Sequence, residues 1–105
     1  MKKRGFVSTR RSGFHMTFPN NLTVSVQWGA GTYSDNHYPE DMDFTCSKDA
    51  TSDTAEVAVM DSHGEFIDPQ QFFDYEINSD GEVVGYLDPS QVVELLANAR
   101  DWPNI

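Results

Sequence analysis

The chain is poor in cysteine, in long apolar runs and, past its first third, in basic residues, and each shortage excludes something. Its one cysteine, Cys46, has no partner for an internal disulfide, which fits a reducing compartment while leaving an intermolecular bond open. As a nucleophile it would need a base held beside it, which no local pattern supplies. No stretch approaches the ~18 apolar residues of a membrane-spanning helix. Met1-Lys2-Lys3-Arg4 is not followed by an apolar run of signal-peptide type. The expectation is therefore a cytoplasmic protein with no membrane partner.

The shortage of basic residues is positional. Lys2, Lys3, Arg4, Arg10 and Arg11 stand within residues 1–34, where there is no acid. All 17 acids come later, against only Lys48 and Arg100, so residues 35–105 carry a net charge of −15. Such a body repels phosphate backbones, so direct nucleic-acid binding is not expected and the complementary partner is a protein with a basic surface.

What the chain does have is enough for one core. Its 105 residues are 38% hydrophobic and include seven Phe, four Tyr and two Trp, a size that suits one domain and not two. Residues 1–12, "MKKRGFVSTRRS", show no sustained period and read as a flexible basic arm or a late-ordering edge, leaving 13–105 as a single domain.

From Gly13 the pattern alternates. Phe14, Met16 and Phe18 oppose His15 and Thr17, then Leu22, Val24, Val26 and Trp28 oppose Thr23, Ser25 and Gln27. That is the period of half-buried strands, and Pro19-Asn20-Asn21 between them predicts a hairpin. Residues 29–53 form a long polar connection in which Met42, Phe44 and Cys46 have the spacing of a short edge strand. "TAEVAVMD" reads as a strand with Ala55, Val57 and Val59 on one face, and His63-Gly64 as a turn into a strand at residues 65–67. Phe72, Phe73, Tyr75 and Ile77 mark a further apolar segment, and Asn78-Ser79-Asp80-Gly81 a turn into "EVVGYL". The last element is a helix, with Asp88 as cap, Pro89 at its first position, Gln91 completing a capping box, and Val92, Leu95, Leu96 and Ala99 as its apolar stripe. Arg100 suits its C-terminal end, and Trp102 is placed to fold back over its base. The expected fold is α+β: a mainly antiparallel sheet of about four to six strands with one C-terminal helix packed on one face.

The search for chemistry starts at Gly29-Ala30-Gly31, where small residues follow a strand. A phosphate-binding loop needs a lysine after its glycines, and none follows until Lys48. A dinucleotide fingerprint needs a helix next, and residues 33–39 carry no helical stripe. The bend is therefore read as structural. In "DSHGEFID", Asp61, His63, Glu65 and Asp68 are metal-ligand types without the order of a calcium loop, and a hairpin turn is the simpler reading. His37 and Cys46 are too few for zinc on their own. No catalytic residue, metal or cofactor is assigned. Trp28, Tyr33 and Tyr38 supply aromatic anchors of the kind interfaces favour, and Glu40, Asp41 and Asp43 acidic neighbours, so these six form the expected partner-binding site. Two alternatives stay open: a nucleic-acid mimic that inhibits a DNA-binding protein, and a small enzyme or metal-binding protein using the loops at 29–37 and 61–68. An exposed sheet edge permits either a monomer or a homodimer.

The blocks "GFHMTFPNNLTVSVQWGAGTYSDN", "TAEVAVMDSHGEFI" and "VGYLDPSQVVELL" resemble a set of small bacteriophage and prokaryotic proteins of unknown function. The likeness covers residues 13–96 and departs at Met60, where the pattern has a tryptophan nearby, and in the longer acidic stretch through Ile77. It implies a phage-borne accessory protein and transfers no catalytic residue.

Overall fold

Alternation places two neighbouring strands back to back, and the computed structural model, which describes residues 5–9, 12–35 and 50–103, shows them paired. The strands in chain order are β1 (Phe6–Ser8), β2 (Gly13–Thr17), β3 (Thr23–Gln27), β4 (Ala55–Met60), β5 (Phe66–Ile67) and β6 (Val83–Leu87). A short 3-10 helix, Pro69–Phe72, precedes β6, and the helix α1 (Pro89–Arg100) follows it. All strand pairs are antiparallel: β1 to β4 lie side by side in chain order, and the far edge of β4 is shared by β5 at one end and β6 at the other. The fold is α+β, as the sequence predicts.

The β1 strand lies inside the stretch read as an arm or an edge. Phe6, Val7 and Ser8 pair with Met16, His15 and Phe14, so the sheet begins before residue 13 and these residues form its edge. The expected edge strand at Met42, Phe44 and Cys46 lies outside the described residues.

Register puts the apolar sets on one face, because cross-strand partners point the same way. Val24 faces Val59, and Val26 faces Val57, which in turn faces Val84. These valines are buried together with Leu95 and Ala99 of α1, Phe72 and Leu87. Helix α1 therefore covers the valine face. On the other face Thr23 is buried rather than solvated: its hydroxyl meets that of Thr17 at 2.9 Å, and Met60 flanks it on β4.

The hairpin turn does two jobs through one side chain. Asn21 adopts φ 70°, the left-handed region that Asn tolerates. Asn20 Oδ1 accepts from the Leu22 amide at 3.0 Å, which sets the turn. Its Nδ2 donates to the carbonyls of Ala99 at 2.8 Å and Trp102 at 3.0 Å, so this hairpin is tied to the last turn of α1, where the Ala99 carbonyl also accepts from the Trp102 amide at 3.2 Å. At the other end Asp88 accepts from the Gln91 amide at 2.8 Å while Gln91 Oε1 accepts from the Asp88 amide at 3.0 Å, the capping box expected from sequence. Trp102 folds back as expected and stacks, tilted, on Phe72 with centroids 4.6 Å apart.

The aromatic stretch after β5 begins as a helical turn. Asp68 caps it by accepting from the Gln70 amide, and Pro69 occupies its first position. Gln70 then reaches forward, donating to the Tyr75 carbonyl at 2.8 Å and accepting from the Ile77 amide at 3.0 Å. One side chain thus stands in for a neighbouring strand.

Two substitutions test these dependencies by urea denaturation. Leu95→Ala removes a fully buried side chain and is expected to destabilise by about 2–5 kcal/mol. Asn20→Ala is expected to cost about 1–2 kcal/mol, lowering the midpoint at unchanged m-value. An Asn20→Ala midpoint equal to wild type would show that water satisfies the helix end as well as Asn20 does.

Candidate protein-binding surface

The glycine bend that raised the question of catalysis closes on itself. A Cβ at Gly29 would stand 2.6 Å from the Ser12 Cβ, so the close approach of the two chains requires glycine. Gly31 has φ 85°, which again favours glycine. The Thr32 amide and hydroxyl both donate to the Gly29 carbonyl, at 3.2 and 2.7 Å, and the hydroxyl also meets the buried Ser34 hydroxyl at 2.8 Å. The amides of Thr32 and Ser34 are thus turned to carbonyls of the bend, where a phosphate cradle would aim them outward. Beyond the bend the Tyr33 carbonyl accepts from the Tyr86 amide at 2.8 Å, and the Asp35 amide donates to the Thr54 hydroxyl at 2.8 Å. Tyr33 lies directly over Gly85, where any Cβ would stand 2.8 Å from its own. The stretch is docked on β6 and on the approach to β4.

The second candidate loop is equally local. Asp61 accepts from the amides of His63 and Glu65 at 2.8 and 3.0 Å, and Gly64 takes φ 79°. Asp68 is engaged by its own helical turn and by the Ser79 hydroxyl at 2.6 Å. The amide bonds, with Glu65's the larger effect, hold the Asp61 carboxyl below the usual aspartate range. Those from Val83 and then Glu82 do the same for Asp80 in the turn before β6. Among the described residues no group of three or more His, Cys, Asp or Glu converges as a metal site.

Topology separates these two loops. The bend follows β3, whose last residue, Gln27, pairs with Glu56 at the start of β4, whereas Asp61 follows the end of β4. Five residues of strand, roughly 17 Å, lie between the two ends. The described parts of the two loops therefore do not form a common site.

An apolar concavity lies elsewhere. A groove of about 360 Å³ runs between the sheet and the first half of α1, lined chiefly by Phe14, Val26, Trp28, Leu87, Val92 and Val93. Asp53 stands on its wall with Ser52 and Thr54. Trp28 is half-buried, its ring edge-on to Phe14 at 6.2 Å and its Nε1 donating to the Ala50 carbonyl at 2.9 Å. Val93 is 64% exposed, pointing off the helix stripe that buries Leu95 and Ala99. This gives a fixed aromatic wall facing an uncovered aliphatic side chain, with a carboxylate at the side.

Of the six residues expected to bind a partner, Trp28 lines this groove. Tyr33, 50% exposed, lies instead on a smaller concavity with Asn78, Ser79, Val83 and Tyr86. Tyr38, Glu40, Asp41 and Asp43 lie outside the described residues. Reading Trp28 and Tyr33 as one aromatic patch thus joins two separate concavities. Sequence reasoning missed Phe14, Val92 and Val93 as groove residues. The signal for Val93 was the doublet Val92-Val93, of which a single apolar stripe can bury only one.

The acid loops yield a pH prediction. Aspartates with depressed folded-state values contribute stability that is complete above the ordinary range and is lost as pH falls through those depressed values. Carboxyl titrations by NMR should place Asp61 and Asp80 below an unstructured aspartate, and Asp61→Asn should flatten the acid limb of the stability curve. A midpoint for Asp61 at or above the unstructured value would overturn the assignment of its carboxylate to the turn.

No protein-family model, curated protein or solved structure matches this chain.

Proposed function

We propose that this chain is a small phage-type accessory protein of the cytoplasm that acts by binding another protein, through an acidic surface anchored at the Trp28 groove. The observation that carries the reading is the groove itself: Trp28 held in place by the Ala50 carbonyl, Val93 left uncovered on α1, and Asp53 on the wall. Interface energy concentrates where a partner fills such a pocket and excludes water, with charged neighbours fixing orientation and on-rate. With a net charge of −15 over residues 35–105, the fitting partner presents an apolar side chain among lysines or arginines.

Nucleic-acid mimicry is less well supported. It needs carboxylates offered outward, and Asp61, Asp68, Asp80 and Asp88 each accept hydrogen bonds from their own loops or helix. The enzymatic reading is likewise less well supported, because the described parts of the two loops stand at opposite ends of β4.

The test is capture of a partner from infected or host cells, followed by measured affinity for the purified partner. Val93→Glu leaves the core untouched because the side chain is exposed, and it is expected to weaken binding by about 30-fold or more if this is an interface hot spot. Binding unchanged by Val93→Glu, but abolished by moderate salt and competed by duplex DNA, would replace the proposal with mimicry.

A further inference from the structure

Among the 105 residues, Asp80 is the one Asp or Asn that a glycine follows. That pair carries a chemistry of its own. The main-chain nitrogen after an aspartate can attack the side-chain carboxyl carbon and close a ring, and glycine, with no Cβ beside its nitrogen, hinders the approach least. The nitrogen–carbon bond forms as a carboxyl carbon–oxygen bond breaks, and the amide proton leaves with the carboxyl hydroxyl as water. A second water then opens the ring at the Asp80 main-chain carbonyl. The chain afterwards runs through the former side chain and carries a free α-carboxylate, an isoaspartyl link of unchanged mass.

Both reacting groups are exposed, in the turn before β6, and a Cβ at Gly81 would meet no atom within 4 Å. Hydrogen bonds, rather than packing, hold them apart. The Gly81 amide donates to the Ser79 hydroxyl at 3.1 Å, and that hydroxyl is itself fixed by donating to Asp68 at 2.6 Å. Asp80 Oδ1 accepts from the amides of Glu82 at 3.0 Å and Val83 at 2.9 Å. Those amides, Val83's first, keep the carboxyl below the usual aspartate range, and an ionised carboxyl gives up its oxygen less readily than the acid.

The same turn starts β6. The Asp80 amide donates to the Val83 carbonyl at 3.1 Å, and Ser79 bridges Val84, which is wholly buried opposite Val57 of β4. An isoaspartyl link adds one carbon to the main chain between Asp80 and Gly81 and removes the carboxylate from the place where the Glu82 and Val83 amides meet it. The product therefore cannot close the turn again.

We propose that Asp80–Gly81 is this chain's site of isoaspartate formation, held unreacted by Ser79 and by the amides of Glu82 and Val83, and that reaction there follows local opening of the turn. This site is separate from the Trp28 groove, and either reading can fail without the other.

The test incubates the full chain in warm neutral buffer, folded and unfolded in guanidinium chloride, and locates isoaspartate by fragmentation mass spectrometry. In the unfolded chain Asp80 should react first, and in the folded chain it should react at least about tenfold more slowly. Ser79→Ala frees the Gly81 amide and should speed the folded-state reaction about three- to tenfold, the worth of one hydrogen bond. Because that change also releases Asp68, a second variant keeps the turn. Asp80→Asn retains the Oδ1 acceptor, and its deamidation, read as a gain of about one mass unit, should again be at least about tenfold slower folded than unfolded. Equal folded and unfolded rates in either protein, or Ser79→Ala reacting no faster than wild type, would overturn the restraint. Isoaspartate appearing first at another residue of the unfolded chain would overturn the site.

Discussion

Everything in this fold is arranged around the burial of β4. Val57 and Val59 are wholly inaccessible, and the strand is hydrogen-bonded along both edges. A strand so enclosed must have each amide and carbonyl paired, since a buried orphan costs more than a formed bond returns. One long neighbour, β3, does this on one side. Two short strands do it on the other, with a register shift between Ala55 and Val57 where β6 departs from regular pairing. The chain between β5 and β6 leaves the edge of β4 opposite Val59 and returns to it opposite Ala58, looping out over the sheet in between. The 3-10 turn at Pro69–Phe72 opens that loop and buries Phe72 in the core with Leu95 and Ala99.

The same constraint decides where a binding surface can form. With the valine face occupied by the second half of α1 through Leu95 and Ala99, the first half of the helix faces Phe14, Val26 and Trp28 across an open space. The gap that remains is the groove. The glycine bend matters to it indirectly: Gly29 allows the Ser12 segment to approach, and the Trp28 amide bonds the Ser12 carbonyl at 2.8 Å, so the tryptophan leaves the strand at a fixed angle. Its conformational demands therefore serve positioning rather than ligand capture.

The legible features in the sequence were those with a local cause. Alternation at Val24 and Val26, left-handed Asn21, and the Asp88-Pro89-Gln91 start of α1 each act within a few residues, and each stands where the pattern put it. The pairing of Phe6–Ser8 was harder to read because three residues are too few to establish a period. The division of β4's edge between β5 and β6, and the bonds from Asn20 to Ala99 and Trp102, were not readable, because they join residues that sequence distance does not relate. The candidate site divides in the same way. Trp28 stood out as an aromatic at a strand end, whereas Val93 became visible only once the helix had a defined buried side. Thr23, patterned for solvent, is buried because a neighbouring threonine and a methionine enclose it.

The bonds from Asn20 to the end of α1 carry a consequence for how the chain is made. Residues of the first hairpin leave the ribosome well before residues 89–102, which supply the helix that covers their apolar side. Until then Val24 and Val26 have no lid, and the nascent chain is exposed to sticky encounters. Closure of this fold consequently waits for α1, and the turn carrying Trp102 acts as the clasp that completes it.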